Sequence, residues 1–428
     1  MPSASRWVPW VGRGMWTLTD QGFFSLATVM VNVLLARWLS PHAYGAFAIS
    51  YSLFLLLGTV HTALLAEPLL VFGAGKYAHA VPAYVRIVTR GHWVVIGACS
   101  LLLATTGIVL WQFGMPLLGQ AMWGIAAAAP FILFTWLMRR ACYVRARPQW
   151  AAAAGGLSLG LTVLGLFLLR RFGMLSIVSA FGVIGGASAL AGAWLMVRIQ
   201  AAGGEPRGGA PPTVPAVLHD HWSYGRWAAG TGILSWAPTD LYVLVLPLWG
   251  GLAASGQLKA LMTLVMPAVQ AQNAVSNLLI PLLVRARGDA RFGRILTTAV
   301  LAFASFSIGY WLLLGFVHAP FVHWLYAGRY DGIAALLWLF GALPLFSGIG
   351  EALSDALRAL VRPDRIFWAA IASTTTTVAL GVTAAARWGV GGVAIGQISS
   401  AIAAAGVMWM SLARLRKRAQ PAVVAVGP

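Results

Sequence analysis

The sequence predicts an all-α polytopic membrane protein with about 12 transmembrane helices, and three observations carry this prediction. Hydrophobic residues make up 60% of the 428 residues and charged residues only 9%, against roughly 25% charged residues in soluble domains. Apolar runs of about 20 residues, the length that spans a bilayer, recur along the chain. The 29 lysines and arginines lie almost only between these runs and favour every second gap.

The charge pattern also predicts how the chain is oriented. Cationic loops are retained in the cytoplasm, so both termini are predicted to be cytoplasmic. The net charge of +19 is spread over short loops and suits contact with anionic membrane lipids. Nucleic acid is not predicted as a partner, because no basic run is interleaved with aromatic residues that would stack on bases.

Each predicted segment is an apolar run bounded by polar, glycine-containing or proline-containing gaps. In chain order the segments cover residues 15–37, 44–66, 87–110, 115–138, 150–169, 173–197, 227–248, 253–283, 293–317, 332–354, 366–386 and 390–412. Residues 44–73 are apolar beyond one span and could continue past the second segment. The eighth segment is also longer than one span, and Pro267 and Pro281 are expected to bend it.

A linker rich in glycine and proline, GGEPRGGAPPTVP at 203–215, separates two groups of six segments. A weak echo between 38–48 and 249–259 indicates an internal repeat. We therefore expect two pseudo-symmetric six-helix lobes around a central cavity, a layout of many secondary transporters. The predicted divisions are an N-terminal lobe at 1–198, a cytoplasmic linker at 199–222, a C-terminal lobe at 223–413 and a basic cytoplasmic tail at 414–428.

Pairs of glycines four residues apart predict places where helices cross closely. Three such pairs are Gly156/Gly160, Gly182/Gly186 and Gly392/Gly396.

Residues 18–77 carry several short motifs. They include the pair Asp20–Gln21, the run LLARWLSPHAYGAF from Leu34 to Phe47, and Glu67–Pro68. This region resembles the polysaccharide-transporter branch of the multidrug/oligosaccharidyl-lipid/polysaccharide exporter superfamily, which includes O-antigen flippases. YGRW at 224–227 and LYAGRY at 325–330 are similar to the second half of that branch. The resemblance implies a twelve-helix, two-lobe transporter with an oligosaccharide on a polyprenyl diphosphate as its substrate.

The predicted function is therefore that of a multi-pass flippase in the bacterial inner membrane. It would move lipid-linked oligosaccharide by alternating access for the assembly of O-antigen, capsule or exopolysaccharide, with membrane lipids and other polysaccharide-assembly proteins as partners. The alternative is a cation-coupled small-molecule or multidrug antiporter of the same superfamily. An enzyme is not predicted, because the sequence holds neither a phosphate-binding G-x-x-x-x-G-K-[ST] loop nor a nucleophile–base constellation. No catalytic residue and no cofactor is assigned.

Two cations are candidate substrate-binding residues. Lys259 lies within the eighth segment with no acidic residue within four positions, and Asp240 on the seventh segment could neutralise it. Lys259 either contacts a diphosphate or acidic sugar, or forms a structural pair with Asp240. Arg37 ends the first segment, where it is either a cation at the external mouth or an interfacial arginine that stabilises the hairpin.

Uncharged polar residues crowd the middle of the eighth segment and suggest a wet face suited to sugar hydroxyls. They are Gln270, Gln272, Asn273, Ser276 and Asn277.

Asp20 and Glu67 lie near the cytoplasmic ends of antiparallel segments and are candidates for ion coupling. The competing interpretation gives Asp20 a local backbone partner or Arg13, and places Glu67 at the headgroups. Glu351 and Asp355 are expected to be solvated salt-bridge neighbours of Arg358.

Metal binding is not predicted. Cys99 and Cys142 lack paired spacing. His219 and His221 flank Asp220, but two histidines two residues apart make a poor metal site without further ligands.

Overall fold

The computed structural model describes residues 8–202, 211–289 and 291–418. Every regular element within these ranges is a helix, so the predicted all-α class is confirmed. The chain divides into two compact units, unit 1 at Met1–Ile233 and unit 2 at Leu234–Pro428.

Unit 1 is built from seven helices and the first part of an eighth. They are α1 (Val8–Trp38), α2 (Pro41–His61), α3 (Glu67–Ala74), α4 (Val81–Gln112), α5 (Pro116–Val144), α6 (Pro148–Arg171), α7 (Ile177–Ala201) and α8 (Val214–Val245). A π-helical turn at Thr62–Ala66 joins α2 to α3, so the apolar stretch Pro41–Ala74 is continuous. The long apolar run at 44–73 predicted this continuation.

Unit 2 contains the end of α8 and six further helices. They are α9 (Pro247–Arg285), α10 (Arg291–Tyr326), α11 (Leu337–Phe340), α12 (Leu343–Ala359), α13 (Pro363–Thr376) and α14 (Val382–Arg418). A 3₁₀ turn at Asp331–Leu336 precedes α11, and a π turn at Thr377–Gly381 joins α13 to α14. Gly389 interrupts α14 with φ of 56°, a conformation that favours glycine.

Ten stretches of the described chain are long and apolar enough to cross a membrane, which makes this a multi-pass membrane protein. The number is below twelve for two reasons. The stretch Pro363–Leu415 contains two of the predicted segments, which Gly389 separates. The predicted segment 227–248 lies almost wholly in α8, whose Ser235, Thr239 and Asp240 dilute its apolar residues, and α8 is not among the ten.

The connection between the lobes contains more helix than the sequence suggested. α8 begins at Val214, within the range predicted as linker, and the two units divide inside this helix. Residues 203–210 of the predicted linker and 419–428 of the predicted tail lie outside the described residues.

Helix α5 lies in the core of unit 1. Leu137, Met138 and Ala141 on this helix are fully buried, and residues of α3, α4, α6 and α7 complete the core. In unit 2 the corresponding core forms around α12, where Ala356 and Leu357 are fully buried against α9, α10 and α14.

The helix crossing of α5 and α7 depends on a glycine that the four-residue spacing missed. A β-carbon on Gly185 would lie 2.9 Å from the Ala128 Cα, whereas Gly182 and Gly186 have nothing within 4 Å. The predicted pair Gly182/Gly186 is therefore wrong. The glycine at the crossing, Gly185, lies one residue before Gly186, which corresponds to a rotation of about 100° around the helix. Gly392 and Gly396 do lie at close backbone contacts, next to Ala384 and Gly381.

We expect Gly185→Val to lower the free energy of unfolding by about 1–3 kcal/mol, because the added methyl groups overpack the crossing. Gly186→Val is the matched control: the residue type and helix are the same, and the position is open. Thermal unfolding of both variants in detergent measures the difference. Equal shifts in the melting temperature would contradict the assignment.

Candidate functional site

A buried ion pair links α1 to α5 within unit 1. The side chain of Asp20 is 0% exposed. Arg139 Nη2 lies 2.9 Å from Asp20 Oδ2 and Arg139 Nε donates to Oδ1 at 3.0 Å, so the guanidinium binds the carboxylate through two parallel hydrogen bonds. Tyr143 donates a third hydrogen bond to Oδ2 at 2.6 Å. Asp20 is thus fully satisfied by α5.

The sequence pattern alone did not indicate Arg139 as this partner. One signal was present, since Arg139 and Tyr143 are four residues apart and therefore share a helix face. Arg139 lies one residue past the end of the predicted apolar segment 115–138, where a cation reads as a loop charge.

A polar cavity of about 210 Å³ lies beside this pair. It is lined by Asp20, Gln21, Phe24, Thr62, Ala66, Trp136, Arg139, Arg140 and Tyr143. Glu67 is half-buried on α3 and does not line it. The two predicted ion-coupling residues, Asp20 and Glu67, therefore do not share this cavity.

A second cavity of about 100 Å³ lies next to the first and is mostly apolar. Phe24, Trp136 and Arg139 line both cavities. The remaining lining combines aromatic and aliphatic side chains with the polar groups of Thr28, Asn32, Thr135, Ser158, Thr162 and Ser188.

Asp220 attaches the start of α8 to the rest of unit 1. The carboxylate accepts hydrogen bonds from Lys76 Nζ at 2.7 Å and from the Tyr77 hydroxyl at 2.6 Å. Burial raises the pKa of Asp220, but the hydrogen bonds from Lys76 and Tyr77 outweigh this, and the pKa is lowered overall. Asp220 is therefore ionised and holds the helix at neutral pH.

His221 provides the second set of hydrogen bonds between the start of α8 and the rest of unit 1, and we call these contacts the His221 dock. Its Nδ1 lies 2.9 Å from the Leu64 carbonyl oxygen in the π turn and must donate to it. Its Nε2 then accepts from the Tyr84 hydroxyl, 2.7 Å away. Burial lowers the pKa of His221, and both ring nitrogens are already used. Gly225 completes the contact, because a β-carbon there would lie 2.7 Å from the Ala63 carbonyl oxygen.

Two further histidines, which no sequence motif indicated, form a buried hydrogen-bonded series that connects α2, α4 and α5. His92 Nε2 lies 3.1 Å from the Pro130 carbonyl oxygen and must donate to it. His92 Nδ1 therefore accepts from His61 Nε2 at 3.0 Å. These bonds fix both tautomers, and they leave His61 Nδ1 as a buried acceptor with no partner among the described residues.

In unit 2 the structure brings together Lys259 and Asp240. The Lys259 Nζ to Asp240 Oδ1 distance is 4.0 Å, and each side chain is 15% exposed. Asp240 also accepts a hydrogen bond from Thr239. The predicted pair is present, on neighbouring helices α8 and α9.

The polar residues of α9 divide between two faces. Gln272 is buried, and its amide nitrogen donates to Ser307 Oγ at 2.8 Å and the Pro344 carbonyl oxygen at 2.9 Å. Gln270, Asn273 and Asn277 are exposed. Three amides of the predicted wet face are therefore exposed, whereas Gln272 and Ser276 belong to the interior of the unit.

The acidic cluster of α12 is also more buried than predicted. Arg358 bonds both Glu351, at 3.2 Å, and Asp355, at 3.1 Å, so the expected salt bridges are present. The expectation that the cluster is solvated is wrong for Asp355, whose side chain is 0% exposed. It faces α9, where the Ser276 hydroxyl lies 2.6 Å from Asp355 Oδ2 and 3.1 Å from Glu351 Oε1.

Arg37 lies in the last turn of α1 and is half-buried. The hairpin that follows is defined by Ser40, whose hydroxyl accepts from the Ala43 backbone N–H, and by Pro41 in the first turn of α2. The S-P pair of the motif is therefore structural.

Across both units, every described carboxylate except Glu67 lies within 4.0 Å of a basic side-chain nitrogen. The Glu67 carboxylate has no hydrogen-bonding or ion-pair partner among the described residues.

Comparison with known proteins relates this chain to transporters by fold. No family model matches the sequence, and no curated protein matches it. Among solved structures, the lipid II flippase MurJ in an inward closed conformation is 15% identical, with a TM-score of 0.77 over 94% of this chain and 87% of that one.

Two further matches are members of the MOP superfamily. An inward-facing multidrug resistance MATE family transporter is 13% identical, with a TM-score of 0.76 over 96% of this chain and 99% of that one. A transporter from Pyrococcus furiosus, whose binding pocket is described as having reverse polarity, is 12% identical, with a TM-score of 0.67 over 95% and 94% of the two chains. At these identities the matches establish the fold alone.

The His221 dock predicts a pH-dependent stability. Because burial holds the pKa of His221 below its usual value, the unfolded chain binds this proton more readily, and the folded state loses stability as the pH falls below about 6.5. Lowering the pH from about 7.5 to about 5.5 should therefore lower the melting temperature through this residue.

Melting temperatures across this pH range for wild type and His221→Gln measure the effect as a difference. His219→Gln, at an exposed position two residues away, is the matched control and should keep the wild-type pH dependence. A His221→Gln variant with the wild-type pH profile would refute the prediction.

Proposed function

We propose that this protein is a flippase of the bacterial inner membrane, with both termini cytoplasmic. It would translocate polyprenyl-diphosphate-linked oligosaccharide for surface-polysaccharide assembly by alternating access. Membrane lipids and other polysaccharide-assembly proteins would be its partners. The observation that carries the proposal is the pairing of almost every described carboxylate with a basic side chain.

This pairing distinguishes the two functions that share the fold. A carrier of cationic drugs needs carboxylates that a cation can approach, because an unpaired cation in a low-dielectric site is costly. Here Asp20, Asp240 and Asp355 already have basic partners. The chain also has 29 basic against 10 acidic residues. Both features favour an anionic substrate, and the likeness to a lipid II flippase supports a lipid-linked one.

Each candidate residue then takes a role that fits its chemistry. Lys259 would contact the diphosphate or an acidic sugar, with Asp240 holding its ammonium in place. Arg37 would be a second cation at the external mouth. The exposed amides would bind sugar hydroxyls; they belong to Gln270, Asn273 and Asn277. Gln272 would join them only if its bonds to Ser307 and Pro344 opened.

Ion coupling would use Asp20 and Glu67 at separate positions. Glu67 is the described carboxylate without a basic partner, so it is the more accessible site for a cation or proton. Asp20 would respond through Arg139, since protonation of its carboxylate weakens that pair.

The test is a deletion of the gene in its host, followed by analysis of membrane lipids and surface polysaccharide. Loss of a flippase should accumulate lipid-linked oligosaccharide and deplete the polysaccharide. Normal polysaccharide with raised drug sensitivity would instead identify a drug exporter.

Complementation of the deletion tests Lys259. Lys259→Gln should reduce surface polysaccharide about tenfold, because it removes a charged contact worth about 1.5–3 kcal/mol. Lys259→Arg keeps the charge and should restore most of the activity. Full complementation by Lys259→Gln, at matched protein levels, would remove this residue from the substrate path.

A further inference from the structure

The polar cavity of unit 1 holds donors that its own carboxylate does not use. A guanidinium carries five N–H groups, and Asp20 accepts from Nε and Nη2 of Arg139. Arg139 Nη1 has no hydrogen-bond partner among the described residues. Its side chain is 13% exposed, and it lines the cavity. Arg139 is therefore a fixed donor group with part of its fork still available.

Arg140 adds a second cation to the same cavity. Its side chain is half-buried and lines the cavity wall, and no carboxylate within the described ranges pairs with it. The charged groups of the lining are then one carboxylate, Asp20, and two guanidinium groups, which leaves a surplus of one positive charge. A partly desolvated cavity of this kind attracts an anion.

The planar guanidinium of Arg139 is better suited to binding phosphate oxygens than the point charge of an ammonium group is. Planar guanidinium donors pair with carboxylate and phosphate oxygens in two parallel bonds. Two groups hold the guanidinium in one orientation: Asp20, which the Tyr143 hydroxyl fixes in turn, and the Phe24 ring, whose centroid is 4.9 Å from the Arg139 Cζ. A donor held in this way loses little side-chain entropy when a ligand binds.

The ligand would also have an apolar part. Phe24, Trp136 and Arg139 are shared with the second, mostly apolar cavity. An anion bound at Arg139 therefore lies next to a wall of aromatic and aliphatic side chains. A phosphate carried on a hydrocarbon chain matches both surfaces.

We propose that Arg139 and Arg140 form a subsite of unit 1 for the phosphate group of a prenyl diphosphate, and that Asp20 is its positioning residue. The inference rests on the proposed function and adds to it, because the charge recognition assigned above to Lys259 and Arg37 then has a further component inside unit 1. Asp20 positions the guanidinium and also offsets part of its charge.

The test measures ligand binding to the purified full chain in detergent by calorimetry. Geranylgeranyl diphosphate is the probe. Geranylgeraniol lacks the phosphates, inorganic pyrophosphate lacks the chain, and dioleoylphosphatidylglycerol is an ordinary lipid phosphate. The proposal expects the diphosphate with its chain to bind most tightly. Equal binding of geranylgeraniol, or of phosphatidylglycerol, would overturn it.

Substitutions of Arg139 and Asp20 should change the affinity for geranylgeranyl diphosphate in opposite directions. Arg139→Gln should weaken binding of geranylgeranyl diphosphate about 10- to 100-fold, the loss expected for a charged hydrogen-bonded contact. Asp20→Asn should tighten it about tenfold, because the competing negative charge is removed. If Asp20 and Arg139 were only a structural pair, Asp20→Asn would not tighten binding of geranylgeranyl diphosphate. Unchanged or weaker binding in Asp20→Asn would therefore contradict the subsite.

The double variant Asp20→Asn/Arg139→Gln leaves no uncompensated buried charge and should bind as weakly as Arg139→Gln alone. Arg291→Gln is the matched control, because Arg291 is 78% exposed and belongs to unit 2; it should bind like wild type. Wild-type affinity in the double variant would refute the role of Arg139.

Complementation of the gene deletion separates this proposal from the proposed function. A wild-type gene that restores polysaccharide, together with an Arg139→Gln variant that does so equally well, overturns the subsite and leaves the flippase intact. Deletion without accumulated lipid-linked oligosaccharide overturns the flippase itself.

Discussion

The constraint on which this structure depends is that a charge in hydrocarbon needs a partner from another part of the protein. Asp20 on α1 is satisfied by α5, and Asp355 on α12 by Arg358 of its own helix and by Ser276 of α9. Such bonds form only at one rotation of each helix about its axis. They therefore select the helix register within each unit, while apolar packing around α5 and α12 supplies most of the buried surface.

Backbone groups are subject to the same constraint. The π turn at Thr62–Ala66 departs from regular helical bonding, and the Leu64 carbonyl oxygen is used by His221 of α8. Pro130 lies inside α5, and its carbonyl oxygen accepts from His92. In both places a histidine donates to a carbonyl oxygen at an irregular position in a helix, a bond that lipid cannot supply. The hydrogen bonds of His92 and His221 therefore keep each of these two side chains in one tautomer.

The fold does not choose between substrates, because a lipid flippase and multidrug transporters match this chain about equally well. The distribution of charge distinguishes between these substrates better than the fold does. The described carboxylates other than Glu67 lie beside basic side chains, whereas Arg140 and part of Arg139 stay available in a cavity. Under the proposed function, this arrangement of charge suits a phosphate-bearing, amphiphilic substrate, and the candidate residues belong to both units.

By itself the sequence determined the class of protein, the positions of most spans and the hairpin at Ser40–Pro41, because hydropathy and turn chemistry are local signals. It also indicated Asp240 as a possible partner of Lys259, because a lone intramembrane charge needs one, and left a substrate contact as the alternative. The tertiary structure decided that Arg139 pairs with Asp20, that Gly185 rather than Gly186 forms the crossing, that Gln272 and Asp355 face inward, and that His221 docks α8. Each of these depends on which face of a helix meets its neighbour. One residue turns that face by about 100°, and only the packed neighbours select the rotation.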